Sequence, residues 1–224
     1  RFRLSYRDPQ DKEKYYPDDR MWDMSQRMLR EVVEELGLPY FEAEGEAAFY
    51  GPKLDVQIRT ALGREETLST AQLDFLLPER FQLEYVGEDG QKHRPVVIHR
   101  GIISTMERMT AFLLEYYAGA LPVWLSPVQA RFLSITTACN EYAQELAERF
   151  RAAGIRAEAD VRNEKLGYKI REAQLEKIPY MLVVGAKEKE AGAVAVRKRG
   201  EGDLGSMPAE ETMRLILRDI AEKR

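Results

Sequence analysis

Pro95-Val-Val-Ile-His-Arg-Gly-Ile-Ile-Ser-Thr-Met-Glu-Arg108 decides how the first half of this chain is read. Val96, Val97 and Ile98 open it as an apolar strand, His99 and Arg100 follow, and Gly101 leads into a helix. The run predicts a buried strand ending at His99. It puts Arg108 roughly two turns into the helix, beside the core candidates Met106, Met109, Phe112 and Leu113. An arginine among core residues calls for an anion, because an unpaired buried charge is costly. The residues alone leave two readings open at each position. His99, one of two histidines in the chain, is either a hydrogen-bonded core side chain or a ligand. Arg108 either snorkels or pairs with a carboxylate such as Glu107, or it meets an anionic ligand.

Upstream, Arg1-Phe-Arg-Leu-Ser-Tyr6 is strand-like from its first residue, as in a chain entered partway through a domain. A polar, charged run from Arg7 to Asp18 reads as a loop. Asp18 or Asp19 caps a helix with Met21, Met24, Met28, Val32 and Leu36 at helical spacing, ended by Gly37, and this stripe is expected in the core. Leu38–Glu42 is a short strand, and Phe49-Tyr-Gly-Pro-Lys53 turns the chain into an alternating strand, Leu54–Thr60. In Thr67–Phe75, Ser69, Ala71 and Leu73 share one face and Thr70, Gln72 and Asp74 the other. Such a polar face is either a ligand-binding floor or an edge strand facing water. Val86–Gly90 is a turn, with His93 exposed beside it. Antiparallel strands followed by a long helix predict an α+β layer.

Downstream, Tyr117–Pro127 carries glycine, two prolines and no periodicity. It divides the chain into residues 1–118, a linker at 119–127 and residues 128–224. Beyond it the rhythm changes. Strands Phe132–Thr136, Ile155–Val161, Tyr180–Val184 and Val194–Val196 alternate with helices around Cys139–Phe150, Tyr168–Lys177 and Met213–Ile220. That alternation predicts an α/β domain with a mostly parallel, mixed sheet and helices on both faces.

At 224 residues the chain has room for one large domain or for two of about 100 residues each. With 44% hydrophobic and 32% charged residues it is a folded globular protein, and no apolar run approaches a membrane span. The single Cys139 excludes an internal disulfide and fits a reducing cytoplasm. One cysteine and two histidines exclude a self-contained Cys/His zinc site. From Ala130 onward the chain carries 18 Lys and Arg against 16 Asp and Glu, and before it 16 against 22. This mild asymmetry permits RNA contact in the second half without arguing for it.

The stretch His99-Arg-Gly-Ile-Ile-Ser-Thr-Met-Glu-Arg108 resembles the third sequence motif of class II aminoacyl-tRNA synthetases, in the form found in the threonyl-tRNA synthetases. Phe49-Tyr-Gly-Pro-Lys53, Thr70-Ala-Gln-Leu-Asp-Phe75 and Tyr85-Val-Gly-Glu-Asp89 resemble that family too. So do Arg162-Asn-Glu-Lys-Leu-Gly-Tyr-Lys-Ile-Arg-Glu172, Pro179-Tyr-Met-Leu-Val-Val-Gly185 and Asp203-Leu-Gly-Ser-Met207. The resemblance implies the second half of an antiparallel class II catalytic domain followed by a complete anticodon-binding domain. It implies activation of threonine by ATP with Mg2+, then transfer to tRNA-Thr. Arg108 matches the catalytic arginine that stacks on adenine and neutralises phosphate, with Thr70 beside the ATP. Tyr50, Gln72 and His99 match threonine-pocket positions, with Lys53 near them. His99 also matches the last of three ligands of a Zn2+ that binds the threonine amino and hydroxyl groups. A site that must engage a hydroxyl rejects isosteric valine, which an apolar pocket cannot do. Asn163, Lys165, Lys177, Glu188 and Arg197 match anticodon-binding positions; read without the resemblance, each is an ordinary solvated side chain.

Departures qualify the match. Ser69 stands for a common glycine, Thr67 for a glutamine, and Lys177 for an arginine whose planar fork is lost. The first two class II motifs, the other two zinc ligands and the editing domain have no counterpart in these residues, and Cys139 lies on a core face of the second half. The expectation is a threonine–tRNA ligase fragment inactive by itself, cytoplasmic, and a homodimer in its full-length form. The competing reading is a synthetase-derived RNA-binding or regulatory module without catalysis.

Overall fold

The computed structural model describes residues 1–224. They form two compact units, Arg1–Tyr116 and Tyr117–Arg224.

The first unit runs β1 (Phe2–Tyr6), α1 (Asp19–Glu35), β2 (Tyr40–Glu44), β3 (Lys53–Arg59), β4 (Glu65–Asp74), α2 (Leu76–Arg80), β5 (Tyr85–Val86), β6 (Lys92–His93), β7 (Val97–Gly101) and α3 (Met106–Tyr116). Its main sheet has the order β2-β1-β3-β4-β7, and β5 and β6 form a separate hairpin. Pairings are antiparallel except β1 with β2, whose parallel pairing follows from the α1 crossover. Asp18 caps α1 by accepting from the Met21 amide at 2.9 Å.

Three expectations fail in this unit. The Met24, Met28, Val32 and Leu36 stripe of α1 is exposed; the helix buries Trp22, Ser25 and Val33 instead. The side chains that meet the sheet are Val33 and the half-buried Leu29, against Leu4, Tyr6 and Leu54. β7 is an edge strand with Ile98 exposed, and His99 lies within it, not at the end of a buried strand. Arg108 sits in the first turn of α3, a helix with no buried residue, and is itself exposed. The anion inferred from core surroundings therefore loses its premise, since water solvates this guanidinium.

The second unit runs β8 (Ala130–Ser134), α4 (Asn140–Ala152), β9 (Ala157–Asp160), α5 (Leu166–Leu175), β10 (Tyr180–Val184), α6 (Ala186–Ala191), β11 (Ala193–Lys198), β12 (Gly202–Pro208) and α7 (Ala209–Ala221). The sheet order is β12-β11-β10-β8-β9. β9, β8 and β10 are parallel, and β11 and β12 close the sheet as an antiparallel hairpin. Phe132, Tyr180, Leu182, Val184, Val194 and Val196 pack against Ala143, Leu146 and Phe150 of α4 and Ile216 of α7. Leu133, Met181 and Val183 pack on the other face against Ala173 and Ile170 of α5. Both sheet faces are thus covered, as the strand–helix alternation predicts.

Residues 119–127, read from sequence as a linker, are bound into this second unit. Arg156 donates to the carbonyls of Ser126 (2.9 Å) and Trp124 (2.8 Å), and Gln129 to that of Val123 (2.9 Å). Arg199 donates to the Leu121 carbonyl and Lys177 to that of Ala118.

Candidate functional site

In the first unit the functional candidates come together through strand register. Gln72 of β4 lies opposite His99 of β7 and opposite Lys53 of β3, and Thr70 lies opposite Asp55. Cross-strand partners share a face, so Lys53, Asp55, Thr70, Gln72 and His99 line one side of the sheet. Tyr50 joins them from the turn before β3: its hydroxyl donates to Gln72 Oε1, and its ring centroid is 5.9 Å from that of His99. Gly51 makes this turn possible, because a Cβ there would collide with the Leu73 carbonyl. Gln72 Nε2 lies 3.4 Å from Thr70 Oγ1. β4 is flanked by β3 and β7, so its polar face is not that of an edge strand.

Two carboxylates organise this face, and sequence reasoning gave neither of them a role. Asp55 is fully buried and accepts from Lys53 Nζ (2.8 Å), Arg3 Nη2 (2.9 Å) and Ser5 Oγ (3.0 Å). Burial pushes its carboxyl up, but hydrogen bonds from Lys53, Arg3 and Thr70 outweigh that and hold it below the usual carboxylate range. Asp74, equally buried, meets His99 Nε2 at 2.7 Å. The available signal was an acid at alternate positions of otherwise apolar strands, as in Leu54-Asp-Val56 and Leu73-Asp-Phe75. Arg108 stands apart: its amide donates to Thr105 Oγ1 at 3.3 Å, and its guanidinium makes no ion pair within the chain.

The donor set does not fit a zinc site by itself. No three His, Cys, Asp or Glu side chains converge where a metal could sit. His99 offers one donor, while Cys139 is buried inside the second unit.

In the second unit, Asn163 and Lys165 lie between β9 and α5 with exposed side chains, Lys165 being the N-cap residue of α5. This loop is anchored from below. Arg162 folds back on Asp160 (Nη2–Oδ2 2.6 Å), and its guanidinium holds the Asp160 carboxyl below its ordinary value. Lys169, 2% exposed, donates to the carbonyls of Ser134 (2.9 Å) and Asp160 (3.1 Å), tying the ends of β8 and β9 together. Burial pushes its ammonium down. Sequence reasoning passed over Lys169, because a lysine on a helix normally faces water. Glu188 serves the fold directly, since its carboxylate accepts from the Gly185 amide at 3.0 Å and caps α6. Lys177 and Arg197 line a different place, a cavity of about 320 Å³ floored by Ile178 and Met181 and bordered by Gln174. The anticodon candidates thus form two groups. Asn163, Lys165 and Glu188 follow the C-terminal ends of β9 and β10, whereas Arg197 pairs with Met181 near the start of β10.

Residues 3–117 match the family model described as tRNA synthetase class II core domain (G, H, P, S and T), and residues 123–219 the model described as anticodon binding domain. The threonine--tRNA ligase of Halalkalibacterium halodurans is 65% identical over 219 residues, which is 97% of this chain and 34% of that protein. Threonine--tRNA ligase 1 of Bacillus subtilis is 61% identical over all 224 residues, again 34% of its length. The chain therefore spans about a third of the curated relatives it matches. A crystal structure described as the RNA binding domain of threonyl-tRNA synthetase from Cryptosporidium parvum superimposes with a TM-score of 0.87 at 33% identity, covering 97% of this chain and 54% of that one. With a class II core match over one unit, an anticodon-domain match over the other and end-to-end identity above 60%, this chain belongs to the threonyl-tRNA synthetase family.

Proposed function

We propose that this chain serves threonine–tRNA ligation: activation of threonine by ATP with Mg2+, then transfer to tRNA-Thr. Its first unit supplies one wall of the amino-acid pocket, and its second reads the anticodon. The observation that carries this reading is the shared polar face of Tyr50, Gln72 and His99, within a unit matched by the class II core. On that face Tyr50, Gln72 and His99 orient the threonine amino and hydroxyl groups, so valine leaves polar partners unmet. His99 supplies one donor to a zinc ion, and the remaining donors come from outside these residues. Arg108, with its guanidinium free of carboxylates, meets ATP, with Thr70 beside it. In the second unit Asn163, Lys165, Lys177, Glu188 and Arg197 contact unstacked anticodon bases through their hydrogen-bonding edges. The setting is cytoplasmic, and the full-length form is a homodimer.

Binding to a tRNA-Thr anticodon stem-loop, against a loop with altered anticodon bases, at two salt concentrations, tests the second unit. Discrimination that persists at the higher salt is expected. Equal binding that fades with salt would reduce the interaction to phosphate attraction and sink the base-reading assignments.

One observation favours a narrower role for the 224 residues by themselves. No residue of α3 is fully buried, and the chain brings one histidine donor to the pocket. We infer that the isolated chain binds RNA without activating threonine. Threonine-dependent ATP–pyrophosphate exchange by this chain alone would overturn that.

A further inference from the structure

His99 has two ring nitrogens, and the fold occupies one of them. Nε2 lies 2.7 Å from Asp74 Oδ2. The other oxygen of Asp74 accepts from the amides of Leu76 (2.9 Å) and Leu77 (3.0 Å), and the side chain is 1% exposed. A carboxylate fixed by two N–H donors at Oδ1 meets the ring as an acceptor at Oδ2, so the proton between them resides on Nε2. Nδ1 keeps its lone pair and has no hydrogen-bond partner within the chain. The ring itself is held by strand register opposite Gln72 and by the edge of Tyr50.

We propose that Asp74 is a positioning residue: it locks His99 in the Nε2–H tautomer and offers the Nδ1 lone pair to an electron-pair acceptor on the ligand. An imidazole whose second nitrogen is tied to a carboxylate has a fixed tautomer and a fixed orientation. The pairing spans 25 residues of sequence and depends on the β4–β7 register, in which Asp74 and His99 point to the same face. His93 is a built-in contrast. Its Nε2 also lies 2.9 Å from a carboxylate, that of Asp89, but this acid is 53% exposed where Asp74 is 1% exposed. The two rings are similarly exposed, so the difference lies in the acids: water reaches Asp89, which accepts from one amide, that of Gln91, where buried Asp74 accepts from two.

The functional weight of the proposal rests on reading His99 as a pocket residue; the tautomer does not. Both histidines can be followed by long-range proton–nitrogen correlation on the full 224-residue chain labelled at histidine nitrogen, above the pH at which imidazole titrates. For His99 the expected spectrum has a protonated, pyrrole-type Nε2 and a bare, pyridine-type Nδ1, while His93 shows a tautomer mixture. Asp74→Asn keeps an oxygen for the Leu76 and Leu77 amides and turns an NH2 toward His99. It is expected to reverse the pattern, leaving Nε2 bare and Nδ1 protonated. A wild-type His99 with its proton on Nδ1 overturns the proposal. So does an unchanged tautomer in a folded Asp74→Asn chain. If that variant does not fold, the wild-type spectrum decides alone. His99→Ala tests the underlying reading separately. Made in the full-length ligase, where the pocket is complete, this substitution is expected to weaken binding of a threonyl-adenylate analogue; unchanged binding there would remove His99 from the pocket while leaving the Asp74 result standing.

Discussion

Strands β10 and β4 both run inside five-stranded sheets, yet they are used in opposite ways. Every residue of Tyr180–Val184 is buried, whereas within β4 only Leu68 and Asp74 are. The second unit covers both faces of its sheet with helices and becomes a scaffold, with its functional candidates at the strand ends and along one hairpin. The first unit packs α1 on one face only and keeps the other for hydrogen-bonding side chains. A sheet face that must bind something cannot also be core. The unit that keeps such a face holds less apolar burial in reserve.

The tryptophans allow this contrast to be tested unit by unit, since Trp22 lies in the first and Trp124 in the second. Phe150 is fully buried and packs edge-on against Phe132 at 5.0 Å. Phe150→Ala is expected to cost about 3–5 kcal/mol in the denaturant transition seen by Trp124. The transition seen by Trp22 should stay in place; a shift of both would mean that the units unfold together. Lys169→Met removes the donor to the Ser134 and Asp160 carbonyls and is expected to cost roughly 1–3 kcal/mol in the same transition. It should also weaken stem-loop binding through the Asn163 loop; full affinity in a destabilised variant would separate that clamp from RNA reading. Asp18→Ala should lower the Trp22 transition by about 1 kcal/mol through loss of the α1 cap, measured against Asp18→Asn, which keeps a capping side chain, as a control. Met28→Ser should change stability by less than about 0.5 kcal/mol. A loss several times larger would return the methionine stripe to the core.

The last two of these predictions separate what was legible in the sequence from what was not. A cap and a stop are local, so Asp18 and the α4 face of Ala143, Leu146 and Phe150 could be read directly. β10 could be read from its unbroken apolar run. The face that α1 buries could not. Trp22, Leu29 and Val33 compete with Met24, Met28 and Val32 at the same spacing, and only the sheet decides between them. Arg108 and β7 were misread for a related reason: apolar neighbours imply a core only if something in the chain covers them. The polar face of Thr70, Gln72 and Asp74 was visible as alternation. The roles of Asp55 and Asp74 depend on partners up to 52 residues away, such as Arg3, which no periodicity encodes. The β11–β12 hairpin escaped notice because Gly202 and Gly205 dilute the strand signal of its second arm.

β7 has a consequence for handling the protein in solution. It is hydrogen-bonded to β4 on one side only and stands at the end of its sheet, with Ile98 exposed in it and Val96 exposed just before it. An uncovered strand edge with apolar side chains is a template for strands of other molecules. Soluble yield should therefore fall as concentration rises, and a single lysine in place of Ile98 should raise it without touching Gln72, Asp74 or His99. In this chain the same strand that presents the candidate ligand residue is also where precipitation would begin.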